Sequence, residues 1–338
     1  MEGLQNKKSQ LFGIGLMAIL MTAAIMYVLK DESIENVMKA IHSVKPIYII
    51  TGIMMMVFYV LCEGINIWIT MKALKKKTTL RDCLEYGFVG FYFSSITPSA
   101  SGGQPAQVYF MKRKGISITS SSLGLMILLF AHQLVIVAYG LIALVVKPDF
   151  AISHKAGFHI LLAYGIISNA VILIGILLLI FNPKIVSKII EVSGNLLYKI
   201  RIIKNKEKLK AKVEASVEEY RLGAEYMKKN PKVLFHVILV TIVQVTVMFL
   251  IPYVIYIGFG LKKFGPMELV LTQAILNIAV SSLPLPGAVG ASESVFVDMF
   301  RNFFGNLVVP GMLLTRIANF YVVLIISGIV SLHAYMTK

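Results

Sequence analysis

Two cysteines in 338 residues, Cys62 and Cys83, are too few for a disulfide framework, and both lie in or beside apolar segments. No Cys and His spacing resembles a zinc site, so no metal or other cofactor is expected. Walker, HExxH, Ser-His-Asp and paired-carboxylate hydrolase patterns are also missing, which leaves no ATP-driven or hydrolytic mechanism to read from the chain. Charge is scarce too. Only 15% of the residues are charged and 57% are hydrophobic, with a mean hydropathy of +0.78. That balance predicts an all-α integral membrane protein.

Long apolar runs supply what the charges leave out. Residues 10–29, 47–70, 118–146, 158–181, 234–258 and 309–335 each approach or exceed the roughly 20 residues that carry a helix across about 30 Å of hydrocarbon. The first follows Lys7 and Lys8, is too long for a signal-peptide core and lacks a clear cleavage site, so it is expected to stay as an anchor. The net charge of +16 sits almost entirely in the connections. It is explained by membrane orientation and anionic lipid headgroups, with no nucleic-acid partner expected.

Two further segments are apolar but interrupted: residues 91–110, FYFSSITPSASGGQPAQVYF, and residues 278–297, IAVSSLPLPGAVGASESVFV. Ser94 and Ser95 lie 187 positions before Ser281 and Ser282, and Gly103 lies 187 before Gly290. The same offset carries span 47–70 onto 234–257 and span 118–146 onto 305–333. One membrane domain, 1–338, is therefore expected to contain a first repeat at 47–146 and a second at 234–333.

The positive-inside rule orients these elements. Lys7 and Lys8 place the N-terminus in the cytoplasm, and loop 30–46, with its mixed charges, falls outside. Lys72, Lys75, Lys76, Lys77 and Arg81 precede the first interrupted segment and Lys112, Arg113 and Lys114 follow it, so residues 82–112 are expected to enter and leave from the cytoplasm as a re-entrant hairpin. The connector 182–232, with thirteen Lys or Arg and six Glu, is cytoplasmic. Its Leu209, Val213, Val217, Tyr220, Ala224 and Met227 fall at helical spacing and predict an amphipathic helix. The second hairpin, 267–304, then enters from outside, and the C-terminus returns to the cytoplasm.

Pro98 and Pro105 bracket Ser101, Gly102 and Gly103, while the second break holds Gly287 and Gly290. Irregular backbone at membrane depth must be buried by protein or reached by water. Each helix restart presents free N–H groups and a positive dipole end, a geometry suited to phosphate. Gln104, Gln107 and Ser292 add neutral hydrogen bonds. The competing reading is that the glycines only allow tight packing. Three intramembrane charges complete the candidate substrate site: Glu293, Arg316, with Asn319 three residues on, and Glu63. Each costs about 2.5–3.5 kcal/mol near a helix centre and needs a partner or a wet cavity. Arg316 can pair with Glu293 or hold a phosphate, and Glu63 can equally snorkel toward the interface.

The motifs TPSASGGQPAQVY (residues 97–109), followed by the basic 112–114, and LPLPGAVGASE (residues 283–293) resemble the transmembrane region of lysylphosphatidylglycerol synthases, a flippase-like membrane-domain family that includes the membrane part of the multiple peptide resistance factor. The resemblance implies a multi-pass protein of the bacterial plasma membrane that moves a phospholipid, aminoacyl-phospholipid or other lipid-linked headgroup between leaflets, often in defence against cationic peptides. The larger synthases add a soluble aminoacyl-transfer domain, and residues 1–338 contain none, so the chain is read as leaning away from an enzyme. Its partners are then membrane lipids, anionic or aminoacylated. A separately encoded transferase and a second copy of the chain remain open, as do the alternatives of a membrane subunit of a lipid-modifying enzyme and a small-anion transporter.

Overall fold

The computed structural model describes residues 33–146, 156–199 and 206–337, with the isolated positions 15, 19, 22 and 26. The run expected at 10–29 therefore lies outside the described residues, apart from four positions. Everything regular among the described residues is helical. In chain order the helices are α1 (Ile34–Ser43), α2 (Pro46–Ala73), α3 (Leu80–Ile96), α4 (Gly103–Arg113), α5 (Ile118–Val146), α6 (Ala156–Phe181), α7 (Pro183–Lys199), α8 (Lys206–Lys229), α9 (Pro231–Gly258), α10 (Pro266–Ser281), α11 (Ala291–Phe304), α12 (Val308–Arg316) and α13 (Val322–Met336). One-turn 3₁₀ segments lie at Pro98–Ala100, Pro286–Ala288 and Gly305–Leu307, and a π-helical turn at Ile317–Tyr321 joins α12 to α13.

Local chemistry sets the starts. Proline occupies the first turn of α2, α9 and α10, where its missing N–H is no loss. At α3 the Thr79 hydroxyl accepts from the Asp82 N–H at 3.1 Å, and the Asp82 carboxylate accepts from the Thr79 N–H at 3.4 Å. Helix α1 was not expected within loop 30–46. It forms because Val37, Ile41 and Val44 fall on one face that buries against the bundle, while Glu35 and Lys39 pair on the exposed side.

Five stretches are long and apolar enough to cross a membrane: Pro46–Ala73, Ile118–Val146, Gly157–Leu179, Pro231–Gly258 and Pro286–Met336. Ile160, Ile167, Val171 and Ile174 on α6 are exposed, as side chains bathed in lipid are. The chain is a multi-pass, all-α membrane protein.

Helices α2 and α9 pack antiparallel along much of their length, with Tyr48 against Gly258, Gly52 against Ile251, and Asn66 donating to Thr241 Oγ1 at 3.1 Å. From one end of this pair α3 and α4 fold back on each other as a hairpin. Lys114 Nζ lies 3.0 Å from Asp82 Oδ1, so the hairpin begins and ends at one level. Arg113 donates to the Tyr335 carbonyl at 3.2 Å, bringing the end of α13 to this same basic face. Helices α10 and α11 form the second hairpin, closed at the opposite face by edge-to-face packing of Phe264 on Phe303 at 4.8 Å. The first arm of each hairpin packs on the long helix that follows the other hairpin, α3 on α13 and α10 on α5.

The connector is two helices, α7 and α8, packed together. Glu219 on α8 fastens it to the basic face, accepting from Lys76 Nζ at 2.7 Å, Ser117 Oγ at 2.5 Å and Ser120 Oγ at 2.7 Å. Partial burial pushes the Glu219 carboxyl up, but these bonds and the Lys76 charge outweigh it and hold the group below its ordinary value.

Candidate functional site at the hairpin tips

The two hairpins meet tip to tip. The turn Pro98–Ala100 packs on the turn Pro286–Ala288, and Ile96, Val289, Phe320 and Leu324 form one buried cluster around the junction. Both turns are conformationally strained. Of the four non-glycine residues with positive φ among those described, Ser99 (50°), Ala100 (54°) and Ala288 (51°) are here, with Lys75 the fourth. Gly287 has φ 58°, and a Cβ on it would come within 2.4 Å of the Phe320 ring, so backbone and space both require glycine.

At the second tip Arg316, on the last residue of α12, points its guanidinium into the restart of α11. Nε donates to Glu293 Oε1 at 2.6 Å, and Nη2 donates to Ser292 Oγ at 2.6 Å and to the Gly287 carbonyl at 3.2 Å. The Phe320 ring lies 4.8 Å from the guanidinium carbon, and the Tyr321 hydroxyl also bonds to this group. Glu293 is fully buried and Arg316 is 13% exposed. The other carboxylate oxygen accepts the Gly290 N–H at 2.6 Å and the Ser292 hydroxyl at 3.0 Å. The anion expected at this helix start is therefore the protein's own Glu293. The Gly290 N–H is thus already taken, because a carboxylate three residues into the helix reaches back to it.

The π turn begins directly after Arg316, a placement often found at functional positions, and interrupts a span expected to be one regular helix. Asn319 lies within it, and its Oδ1 is buried with no partner among the described residues.

At the first tip the glycines are tightly packed. A Cβ on Gly103 would lie 2.0 Å from Ser94 Oγ and 2.8 Å from the Gly90 carbonyl, and the Gly102 N–H is taken by Thr97 Oγ1 at 2.8 Å. Ser101 is exposed and Gln104 half-buried, with no side-chain bond recorded for either among the described residues.

Residues 10–327 match the family described as the lysylphosphatidylglycerol synthase TM region. The chain belongs to that family. It is also similar to a UPF0104 membrane protein of Archaeoglobus fulgidus, 25% identical over 297 residues, a match covering 85% of each chain.

In this member of the synthase membrane-region family the expected site residues separate into three groups, the first being Ser101, Gly102, Gly103 and Gln104 at the first tip. Ser292, Glu293, Arg316, Gly287 and Gly290 converge at the second tip, with Asn319 on the adjoining turn. Glu63 and Gln107 belong to a different cluster. Gln107 donates to the Tyr86 carbonyl at 3.2 Å and bonds also to Glu63, so the structure places it with Glu63 and not with the second tip. Glu63 also accepts from Gln244 Nε2 at 3.3 Å. These bonds turn its carboxyl inward, away from the snorkelling position at the interface.

One polar contact carries residues that were not among the candidates. Asn169 on α6 is buried and donates to the Gly165 carbonyl at 2.7 Å and to Ser281 Oγ and Ser282 Oγ at 3.3 and 3.4 Å, while accepting from Gln133 Nε2 at 2.5 Å. It pins the end of α10 just before the second break. The sequence signal is a lone amide in an otherwise apolar span.

Proposed function

We propose that the protein translocates a phospholipid headgroup between leaflets, with the hairpin tips as the constriction that the headgroup passes. The reading is carried by one observation: a buried Arg316 and Glu293 pair stands where two strained turns meet from opposite faces. A buried Arg is suited to a phosphate because its fork offers parallel donors, and Glu293 holds it until a phosphate or aminoacyl-phosphate competes. Acyl chains stay in lipid while the polar group exchanges one anion for another at the guanidinium.

The domain plan supports this use. Residues 47–146 and 234–333 act as two inverted halves, each supplying one hairpin, which is the common plan of secondary transporters with a site near the midplane. The face carrying Lys76, Lys114 and the α7 and α8 connector is cytoplasmic by the positive-inside rule, in the plasma membrane of a bacterium. A second reading, a membrane subunit serving a separately encoded transferase, is favoured by the family's description, which speaks of a synthase.

Leaflet exchange of fluorescent phosphatidylglycerol and its lysyl derivative in proteoliposomes tests the proposal. Protein-dependent exchange that slows at least tenfold in Arg316→Ala supports it. Exchange no faster than in empty vesicles across both lipids refutes it.

A further inference from the structure

We propose that Glu63 is a proton-binding site, and that Gln244 responds to whether the proton is present. The site lies where α2, α4, α5 and α9 converge behind the first hairpin. Glu63 is ten residues before the end of α2, about 15 Å of helix from the basic face. Lys72 packs over the Trp68 ring at 4.1 Å, marking the interface level, and Glu63 is more than one turn deeper.

Its partners are unlike those of Glu293. Among the described residues no Lys or Arg pairs with Glu63; its recorded bonds come from the neutral amides of Gln244 and Gln107. The titratable groups beside it are Tyr59 and Cys62 on α2, with His132 on α5 reached through the Tyr59 hydroxyl, and only the neutral Gln107 and Gln244 come from α4 and α9. None of these is a fixed cation. A carboxyl at this depth that is not paired with a basic side chain is matched to a mobile cation instead. Along α2 no backbone carbonyl near Glu63 is unwound to serve as a Na⁺ ligand, and the proton is the simpler fit.

Gln244 supplies the second, independent observation. The residue is 1% exposed, its Nε2 faces Glu63, and its Oε1 is buried with no partner among the described residues. An unpaired buried acceptor is costly and calls for a donor. Turning the amide over presents Oε1 to Glu63, where it accepts the O–H of the protonated acid. One amide thus donates to the carboxylate and accepts from the acid, so proton uptake at Glu63 reverses a partly buried hydrogen bond between α2 and α9. Tyr59, one turn along α2, lies 3.2 Å through its hydroxyl from His132 Nε2 and continues the file of exchangeable protons. Gly90 leaves the space for this arrangement, since a Cβ there would meet Gln107 Nε2 at 2.2 Å.

The binding site stands on these contacts alone; its use to drive transport rests on the translocator reading. Infrared difference spectra of the purified full chain in nanodiscs, recorded between acid and alkaline pH, decide the first point. The carbonyl band of a protonated, partly buried carboxylic acid should be present in the wild type and in Glu293→Gln and lost in Glu63→Gln, with gel filtration confirming a folded variant. A band unchanged by Glu63→Gln overturns the proposal. Gln244→Leu, which keeps the carboxyl but removes its amide partner, should shift the band; an unmoved band removes Gln244 from the switch. For coupling, one proton per lipid predicts that a gradient of about one pH unit shifts the steady-state leaflet ratio by up to about tenfold, and that Glu63→Gln abolishes the shift. Exchange indifferent to the pH gradient ends the coupling but leaves translocation standing. Absence of any exchange, with the band intact, ends the translocator and leaves the proton site.

Discussion

The Arg316 and Glu293 pair makes a quantitative demand that a double-mutant cycle can meet. Arg316→Met removes the cation from a carboxylate with no solvent exposure, leaving the Gly290 N–H and the Ser292 hydroxyl as its remaining donors. Breaking a buried pair from one side costs about 3–5 kcal/mol because the surviving charge is uncompensated. Glu293→Gln is milder, since Arg316 keeps the Gly287 carbonyl, Ser292 Oγ and the Phe320 face, and about 2–3 kcal/mol is expected from the loss of one charged hydrogen bond and its Coulomb partner. The double variant strands no charge. It should cost no more than Arg316→Met alone, which requires a coupling of about 2–3 kcal/mol. Reversible unfolding in mixed micelles, titrated with a denaturing detergent, measures all three. Effects that add to within about 0.5 kcal/mol would refute the pairing as an energetic unit.

Other outcomes follow from single contacts. Because Glu219 is held below its ordinary value of 4.5, the stability it lends the connector is complete above that value and is lost as pH falls through the depressed one. Proteolytic cutting at α8 should rise at acid pH in the wild type and lose this acid limb in Glu219→Gln. Gly165→Ala places a methyl 2.1 Å from the Ile278 carbonyl oxygen, a backbone atom that cannot rotate away, and should lower stability by about 1–3 kcal/mol in the same unfolding assay. In a variant lacking Cys62 and Cys83, cysteines at positions 114 and 265 should label from opposite sides of the membrane; labelling from one side would contradict the two opposed hairpins.

Spacing made much of this fold legible. Apolar runs located α2, α5, α6, α9 and α13, and paired Pro and Gly breaks located both turns, because lipid enforces strict rules on length and backbone satisfaction. Helix α1 escaped notice because ten residues with three apolar contacts look like a loop until a bundle covers them. The π turn has no residue signature: Ile317–Tyr321 reads as ordinary span. Sequence could nominate Glu63, Gln107, Glu293 and Arg316 as polar residues at depth and offer Arg316 with Glu293 as a pair, but it could not place Gln107 beside Glu63. That placement depends on which arm of a hairpin crosses which long helix, a three-dimensional property that residue spacing does not encode.

The meeting of the two turns has a mechanical consequence. Each hairpin is closed at its own face, by Asp82 with Lys114 on one and Phe264 with Phe303 on the other, and its turn abuts the other's turn, the second held in addition by Arg316 and by Asn169 at the end of α10. Each tip is therefore the other's stop. In the proposed translocator the two gates would therefore bear on one shared contact, Pro98–Ala100 against Pro286–Ala288.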